Sequence, residues 1–329
     1  DWFGINFESN HCKDFMQSRH WLFLMLLFFL VQATVFPQSN TTFEFLRNDA
    51  SARAAALGGS FLTANDDPNS IFYNPADLTT LSTRRLSVGF FKHLLDVNAG
   101  YASFGMEIPN FGFVGAGVEY INYGEFKKTG EEGQNLGTFG AGEIAFIATY
   151  ADQLMPVLYY GANLKFIYSS IADVKSSAVA IDAGVRYIAL PERVIVGASL
   201  LNLGTQIDPY VNTSERLPLD FKIGASIYPE HLPAVLMFNF HKLNEDQDQF
   251  FDRFKQFSIG VEFTASPNVQ LRIGYNNERR QEWKIGNSAG LAGFSLGGGF
   301  TTEIYTIDYA YNSMGKIGSV HRINVGFKF

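Results

Sequence analysis

Apolar and polar residues alternate most clearly at the end of the chain, over residues 319–329. The apolar members of this stretch are Ile323, Val325, Phe327 and Phe329. Because successive side chains of a strand point to opposite faces, the pattern predicts a strand with one apolar and one polar face. Such a strand fits a soluble β-sandwich, and it also fits a closed membrane barrel in which the last strand pairs with the first.

The same alternation recurs from Arg84 onward, and we predict fourteen strands. They cover residues 84–92, 96–108, 111–123, 139–150, 157–171, 176–189, 193–201, 216–229, 233–243, 254–266, 268–277, 289–300, 302–313 and 319–329. Most can supply the roughly 9–11 residues that a tilted membrane-spanning strand needs. Their polar faces carry Asn163, Lys165, Asp220, Lys222, Arg272, Asp308 and Lys328.

The connections between these strands separate the two architectures. Those after even-numbered strands are mostly short, at 109–110, 191–192 and 267, whereas those after odd-numbered strands include 124–138, 202–215, 244–253 and 278–288. Short turns on one side and long loops on the other are typical of outer-membrane barrels, with the turns in the periplasm. We therefore predict an all-β fold, a 14-stranded antiparallel transmembrane β-barrel over residues 84–329. An even strand number puts both barrel ends on the periplasmic side, and Phe327 and Phe329 are assigned to barrel closure.

Composition agrees with a barrel wall that has one wet face. Charged residues make up 17% of the chain, below the roughly 25% usual in soluble domains. Mean hydropathy is +0.00, too polar for a bundle of membrane helices. The formal net charge of −7 argues against a nucleic-acid partner.

The first 38 residues read as sequence outside the fold. An apolar run, 21–31, follows Arg19 and precedes small residues, which predicts a secretory signal peptide over 16–38 with Met16 as the start. An uncleaved membrane anchor is the alternative, although the run is short for a bilayer span. Residues 1–15 are then upstream sequence, and they contain the single cysteine, Cys12.

Residues 39–83 differ from the strands that follow. An Ala-rich run, 51–57, ends at Gly58 and Gly59, which predicts a short helix with a glycine stop. Pro75 keeps Asn74 out of the helical region and starts a second helical turn. We predict that this segment is an amino-terminal plug that starts on the periplasmic side and enters the lumen. A loose periplasmic leader is the alternative.

Several stretches together resemble one family. The plug residues 45–46, 51–59, 66–67 and 74–76 follow one another as in the PorV/PorQ branch of the FadL-like outer-membrane barrels. Later stretches are similar to the PorQ proteins of the type IX secretion system, and they are 119–126, 161–168, 260–263, 271–276, 279–282 and 290–295. The resemblance covers about residues 43–312. The Asn-Pro-Ala tripeptide alone would be weak, because the wider lipid-transporter family shares it.

This resemblance implies a role and partners. The role is that of a barrel in the outer membrane of a Gram-negative, Bacteroidetes-like bacterium, which anchors a surface protein, PorZ, of the complex that attaches secreted cargo. The other implied partners are outer-membrane lipid and the PorU and PorV proteins of that complex. A cargo shuttle like PorV is a further alternative within the same branch.

No catalytic or metal-binding arrangement is visible. The abundant Ser and Asp residues do not form a visible nucleophile–base–acid arrangement, and the six histidines lack metal-ligand spacing. We predict a protein that is not an enzyme and has no cofactor or metal. Structural roles inside the lumen are predicted for Arg53, Gly58, Gly59, Asn74 and Pro75.

Loop aromatics and arginines are candidates for a partner surface. Exposed Trp and Arg side chains are typical interface anchors, and the predicted set is Trp283, Arg279, Arg280, Tyr210 and Phe126. A loop tip that packs internally is the alternative for Trp283.

The sequence is compatible with two different functions. One is the interaction protein described above, and the other is a FadL-like transporter of hydrophobic small molecules. The barrel itself does not separate them. The predicted lumen is rich in charge, which is a poor path for a fatty acid and favours a sealed barrel.

Overall fold

A computed structural model describes residues 41–93, 96–245, 249–286 and 288–329. The predicted upstream and signal segments, 1–15 and 16–38, lie outside this range. Within it, no helix has the length and apolar character that crossing a bilayer demands.

The described residues form fourteen strands in one closed antiparallel barrel, so the predicted fold class is confirmed. Each strand pairs with its neighbours in sequence, and β14 closes onto β1 over the register from Arg85↔Lys328 to Lys92↔His321. The strands are β1 Arg85–Lys92, β2 Asn98–Ile108, β3 Gly112–Thr129, β4 Asn135–Met155, β5 Leu158–Ile171, β6 Val174–Leu190, β7 Val194–Asp208, β8 Asp220–Ile227, β9 Ala234–Phe240, β10 Phe257–Ser266, β11 Val269–Asn276, β12 Phe294–Thr301, β13 Tyr305–Ser313 and β14 Ser319–Lys328.

The two faces of the wall have opposite character. On β5, Leu164 is 61% exposed and its neighbour Asn163 is 2% exposed; on β14, Ile323 is 55% exposed and Asn324 is 3% exposed. The apolar side chains therefore point out of the barrel and the polar ones into it. An apolar outer face on a closed barrel is the arrangement that lipid requires.

Ile323 lies near the middle of β14 and provides a test of this outer face. We expect Ile323→Arg to cost about 2–4 kcal/mol of folding free energy in a bilayer, the cost of a cation at the lipid-facing midplane. Val211→Arg, at an exposed connection residue, is the matched control and should stay within roughly 0.5 kcal/mol of wild type. Urea titration in phospholipid vesicles measures both, and equal small effects would contradict a lipid-facing Ile323.

The two ends of the barrel differ. At the short-turn end, the connections include 109–111, 156–157 and 191–193; at the long-loop end, they include 209–219, 241–256 and 277–293. The connections 277–293 and 241–256 contain a helix, α2 (Asn277–Glu282), and a 3-10 turn, Phe250–Lys255.

Strands β3 to β7 rise above the rest of the wall at the long-loop end. They have 14 to 21 residues, whereas the other nine have 7 to 11. The predicted loops 124–138 and 202–215 are therefore wrong in large part, because β3 runs to Thr129, β4 starts at Asn135 and β7 runs to Asp208. Beyond the lipid both faces meet water, so the apolar alternation stops while the backbone pairing continues.

The segment before β1 lies against the inner face of the barrel. It forms helix α1 (Ala52–Ala56) and three 3-10 turns, Glu44–Arg47, Pro68–Phe72 and Pro75–Thr80. Ser51 caps α1, and Gly58 and Gly59 follow it with φ of 68° and 86°. Helix α1 contacts β11 to β14 and the last turn contacts β3 to β6, so the segment spans the lumen. We call residues 41–83 the plug.

The plug does not start where the sequence suggested. Thr41 forms a parallel bridge with Arg216 of connection 209–219, at the long-loop end. The chain then passes through the lumen, and Asp66 and Ser82 bond to each other and to Arg85 at the start of β1. The expected start at the periplasmic, short-turn side is therefore corrected: the plug runs the length of the barrel from the opposite end.

Candidate functional site

Arg53 of α1 lies in a buried ion cluster with the wall. Its Nε and Nη2 donate to both carboxylate oxygens of Glu262 at 2.8 and 2.7 Å. Glu262 also accepts from Arg272 Nε at 2.6 Å, and Arg272 Nη1 donates to Asp308 at 2.6 Å. Bidentate, charge-assisted bonds of this kind are the strongest that side chains form. The cluster joins the plug to three strands, β10, β11 and β13.

A second ion pair joins the plug to the opposite wall. Asp77, in the turn before β1, accepts from Arg186 of β6 at 2.7 Å, and both side chains are at most 5% exposed. On the neighbouring wall Lys165 and Asp182 form a pair at 2.9 Å with nearly no exposure. Because each of these charges would be costly to bury alone, the Arg186–Asp77 pair restricts the rotation of the plug in the lumen, and the Lys165–Asp182 pair joins two wall strands beside it.

Asn74 and Pro75 start the last turn of the plug. Asn74 Oδ1 accepts from the Ala76 amide at 3.2 Å, while its Nδ2 donates to the Leu62 carbonyl at 2.9 Å and the Val185 carbonyl at 3.1 Å. Pro75 is the first residue of the turn, where a missing amide hydrogen costs nothing. One buried amide therefore caps the turn and ties two plug segments to β6.

Inward-facing glycines let the plug backbone touch the wall. A Cβ on Gly274 of β11 would lie 2.2 Å from the Gly58 nitrogen, and one on Gly161 of β5 would lie 2.5 Å from the Pro75 carbonyl carbon. A Cβ on Gly184 of β6 would meet the Asn74 Oδ1 at 2.0 Å. At these positions the plug fits so closely that the wall has no room for a methyl group.

A polar cavity of about 230 Å³ lies at the short-turn end. Its lining includes Arg53, Asp66, Arg85, Glu262, Gln270 and Lys328. A smaller cavity of about 20 Å³ lies under the start of the plug, beside Glu119. An apolar ligand would lose its favourable transfer energy in the larger, charge-lined space.

Apolar residues fill the long-loop end of the lumen, and we call them the mouth cluster. Its plug members are Phe43, Phe45 and Leu46, and its wall and connection members are Phe91, Ala99, Ile121, Ala145, Ile167, Ala178, Ala180, Leu217, Met314 and Val320. Two predicted partner residues pack at its edge. Tyr210 lies 6.2 Å from Phe43 between ring centres and bonds to Ser169, and Trp283 is half-buried.

The two arginines that were predicted as partner residues have different surroundings. Arg279 forms an ion pair with Asp49 of the plug at 2.6 Å, whereas Arg280 donates only a 3.2 Å bond to the Gly290 carbonyl in an exposed setting. Phe126 lies apart from both on the projecting β3–β4 ribbon, stacked on Phe139 at 5.4 Å. The predicted partner residues thus do not form one surface, and Arg279 and Trp283 make the internal contacts of the alternative interpretation.

Glu278, next to Arg279 in α2, attaches this helix to connection 241–256. It bonds to His241 at 2.8 Å and accepts from Lys242 Nζ at 2.5 Å. Burial alone would raise the pKa of the Glu278 carboxyl, but the His241 bond and the Lys242 charge outweigh it and hold the pKa well below its usual range. The carboxylate is therefore charged wherever the protein is folded near neutral pH.

The two residues assigned to barrel closure lie on the outside. Phe327 is 40% exposed and pairs in register with Leu86 of β1, and Phe329 is 71% exposed, with its amide donating to the Arg84 carbonyl at 3.0 Å. They contribute lipid contact and the end of the β1–β14 seam.

The sequence did not predict which lumen residues contact each other. The sequence marks Arg272, Asp308 and Lys165 as lumen residues, but it does not pair them with Glu262 or Asp182. Glycines on the polar faces of alternating strands, such as Gly161 and Gly274, were the available indication of close plug contact. Within the described ranges, no three His, Cys, Asp or Glu side chains group as metal ligands would.

Comparison with known proteins gives similarity of fold. No family model matches the chain, and no curated protein matches it. Among solved structures, the monoaromatic hydrocarbon channel CymD is similar at a TM-score of 0.55 and 13% identity, covering 88% of this chain and 99% of its own. The toluene transporter TodX of Pseudomonas putida gives 0.55 and 11%, covering 84% and 97%.

A FadL homologue of Pseudomonas aeruginosa is similar in the same way, at a TM-score of 0.52 and 10% identity, covering 85% of this chain and 98% of its own. Sequence identities this low show a common fold and do not identify a ligand. Together with the closed fourteen-strand barrel and its apolar outer face, these similarities show that the chain has the fold of the FadL-like outer-membrane barrels.

Proposed function

We propose that this protein is a sealed outer-membrane barrel that acts by binding a protein partner at its long-loop end. The observation that carries the proposal is the contact between plug and wall backbones at Gly58–Gly274 and Pro75–Gly161. A plug that moves to pass a ligand needs side chains that can slide. Backbones in contact, with ion pairs on opposite walls, support a permanent stopper instead.

The finer form of the proposal comes from the resemblance in sequence. On that basis the barrel is an anchor of the type IX secretion system that holds a PorZ-like surface protein beside PorU and PorV. The long-loop end then faces the outside of the cell, and both barrel ends lie in the periplasm. The projecting strands β3 to β7 support this, because they provide paired backbone well beyond the length that lipid requires.

The second candidate is a FadL-like channel for hydrophobic small molecules. The solved structures of similar fold favour this candidate over the anchor, since they include a hydrocarbon channel and a toluene transporter. Against it stand the charge-lined cavity at the short-turn end and the ion cluster around Glu262. A PorV-like cargo shuttle is a third form, which differs from the anchor in the partner alone.

Bilayer and uptake measurements separate the first two candidates. We expect purified protein in planar bilayers to give no steady conductance, and vesicles containing it to take up labelled fatty acid or toluene no faster than empty ones. A FadL-family transporter in the same vesicles is the positive control. Uptake above the empty-vesicle rate would support the channel and overturn the sealed barrel.

Affinity purification from solubilised outer membranes tests the anchor. We expect a large surface protein to co-purify with the tagged barrel, and to be released into the medium when the gene is deleted. Recovery of secreted cargo in its place would support the shuttle. Recovery of bound lipid with no protein would overturn both forms.

A further inference from the structure

Helix α2 is attached to its neighbours mainly by charged side chains. None of its residues, Asn277–Glu282, is buried. Helix α1 of the plug is the opposite case, because Ala52, Ala54, Ala55 and Ala56 are all 0% exposed. A helix of six residues is not stable by itself, so α2 depends on the side-chain bonds that attach it to its neighbours.

Three ion-pair contacts, made by Arg279 and Glu278, provide most of these attachments, and Asn277 Nδ2 adds a bond to the Lys255 carbonyl at 2.8 Å. Arg279 reaches down to Asp49 of the plug at 2.6 Å. Glu278 reaches sideways to His241 and Lys242 of connection 241–256, at 2.8 and 2.5 Å. The Asp49 side chain is 6% exposed, so the Arg279 pair is the more buried of the attachments.

The position of Asp49 shows what α2 covers. Asp49 follows Phe45 and Leu46 of the mouth cluster and precedes α1, so it belongs to the first part of the plug. Trp283 follows α2 directly, packs against the mouth cluster, and has the Arg279 guanidinium 5.9 Å from its ring centre. Helix α2 with Trp283 therefore lies over plug residues 43–50.

We propose that residues 277–284, the α2 lid, form a cover that is latched by ion pairs and opens while the deeper plug stays packed. These ion pairs are largely shielded from water, so removing one partner leaves a poorly solvated charge that favours opening of the helix. The contact between Gly58 and Gly274 involves backbone atoms and does not depend on these charges. Opening exposes plug residues 43–50 at the long-loop end. The lid does not depend on which proposed function holds, because either an anchor or a channel can carry it.

Hydrogen exchange on the full-length protein in nanodiscs tests the lid. We expect Arg279→Gln to raise the exchange rates of segments 277–284 and 43–50 by roughly tenfold, while 52–57 keeps its wild-type rate. Arg279→Lys retains the charge and should restore most of the protection. Arg280→Gln is the matched control, since Arg280 is on the same helix and, among the described residues, its side chain bonds to one exposed carbonyl.

Three results would overturn the proposal. Unchanged exchange in 277–284 would mean that the ion pair does not latch the helix. Faster exchange confined to 277–284 would mean that the helix does not cover the plug. Acceleration that extends through 52–57 would mean that lid and plug open as one unit. None of these outcomes depends on uptake or on partner recovery, so they leave the test of function separate.

Discussion

Glu262→Gln is expected to destabilise the barrel by about 3–5 kcal/mol, the cost of removing one partner from a buried ion cluster. Arg53 and Arg272 both donate to this carboxylate, and all three side chains are at most 15% exposed. The neutral amide is nearly isosteric, so the loss reports charge and not shape. Arg53 would then keep Asp67, and Arg272 would keep Asp308, as its one remaining carboxylate partner.

The control is an exposed ion pair of the same chemistry. Arg193 and Glu230 pair at the short-turn end, where their side chains are 52% and 57% exposed. Glu230→Gln should cost between about 0 and 1 kcal/mol, because water screens and replaces such a pair. Urea-induced unfolding in vesicles, followed by the mobility shift of the folded barrel on gels, measures both variants. Equal costs would mean that the Glu262 cluster carries no more weight than a surface pair.

The fourteen strands could be predicted because lipid enforces a local rule. Outward residues such as Leu164, Phe166 and Ile323 must be apolar, and the neighbour of each along the strand faces the lumen. This alternation can be seen along each strand by itself, so predicting a strand does not require knowing its partner strand. Where the wall leaves the lipid, as in β3 beyond Asn122, the rule ends, and the predicted strand ended with it.

The ion pairs between plug and wall could not be predicted, because they depend on how distant parts of the chain meet and not on the pattern along one strand. Glu262 meets Arg272 directly across β10 and β11, but Arg53 reaches Glu262 across 209 residues of sequence. That meeting depends on how far the plug enters and how it is rotated. Alternation along a strand holds no information about either. The start of the plug at the long-loop end was missed for this reason too.

The close fit between plug and wall results from two kinds of contact that act at different places. Ion pairs such as Arg186–Asp77 fix the direction of the plug, and glycines such as Gly161 fix its distance from the wall. With either kind of contact alone, the plug could still move. Ion pairs tolerate small shifts of the plug, and a smooth glycine surface permits its rotation. Their combination explains why a plug with a single helix of five residues is buried along most of its length.

Gly274→Val is expected to separate the plug from β11. The first carbon of any side chain here would lie 2.2 Å from the Gly58 nitrogen and 2.3 Å from the Leu57 carbonyl carbon, and both are backbone atoms that cannot rotate away. Gly58 is itself packed against the Tyr275 backbone, where a Cβ would lie 2.9 Å from the Tyr275 nitrogen, so it has little room to move away. Overpacking of this kind typically costs about 1–3 kcal/mol, and more when backbone must move.

Gly326→Val is the matched control, because Gly326 also lies in a strand, β14, and the nearest atom to its Cβ position is 3.6 Å away. Heat-modifiability on gels gives the stability of each variant, and bilayer recordings show whether the lumen leaks. We expect Gly274→Val to lower the melting temperature and to produce conductance, and Gly326→Val to do neither. A stable, silent Gly274→Val barrel would mean that plug and wall can move apart without opening a path, and the backbone contact would then no longer explain the seal.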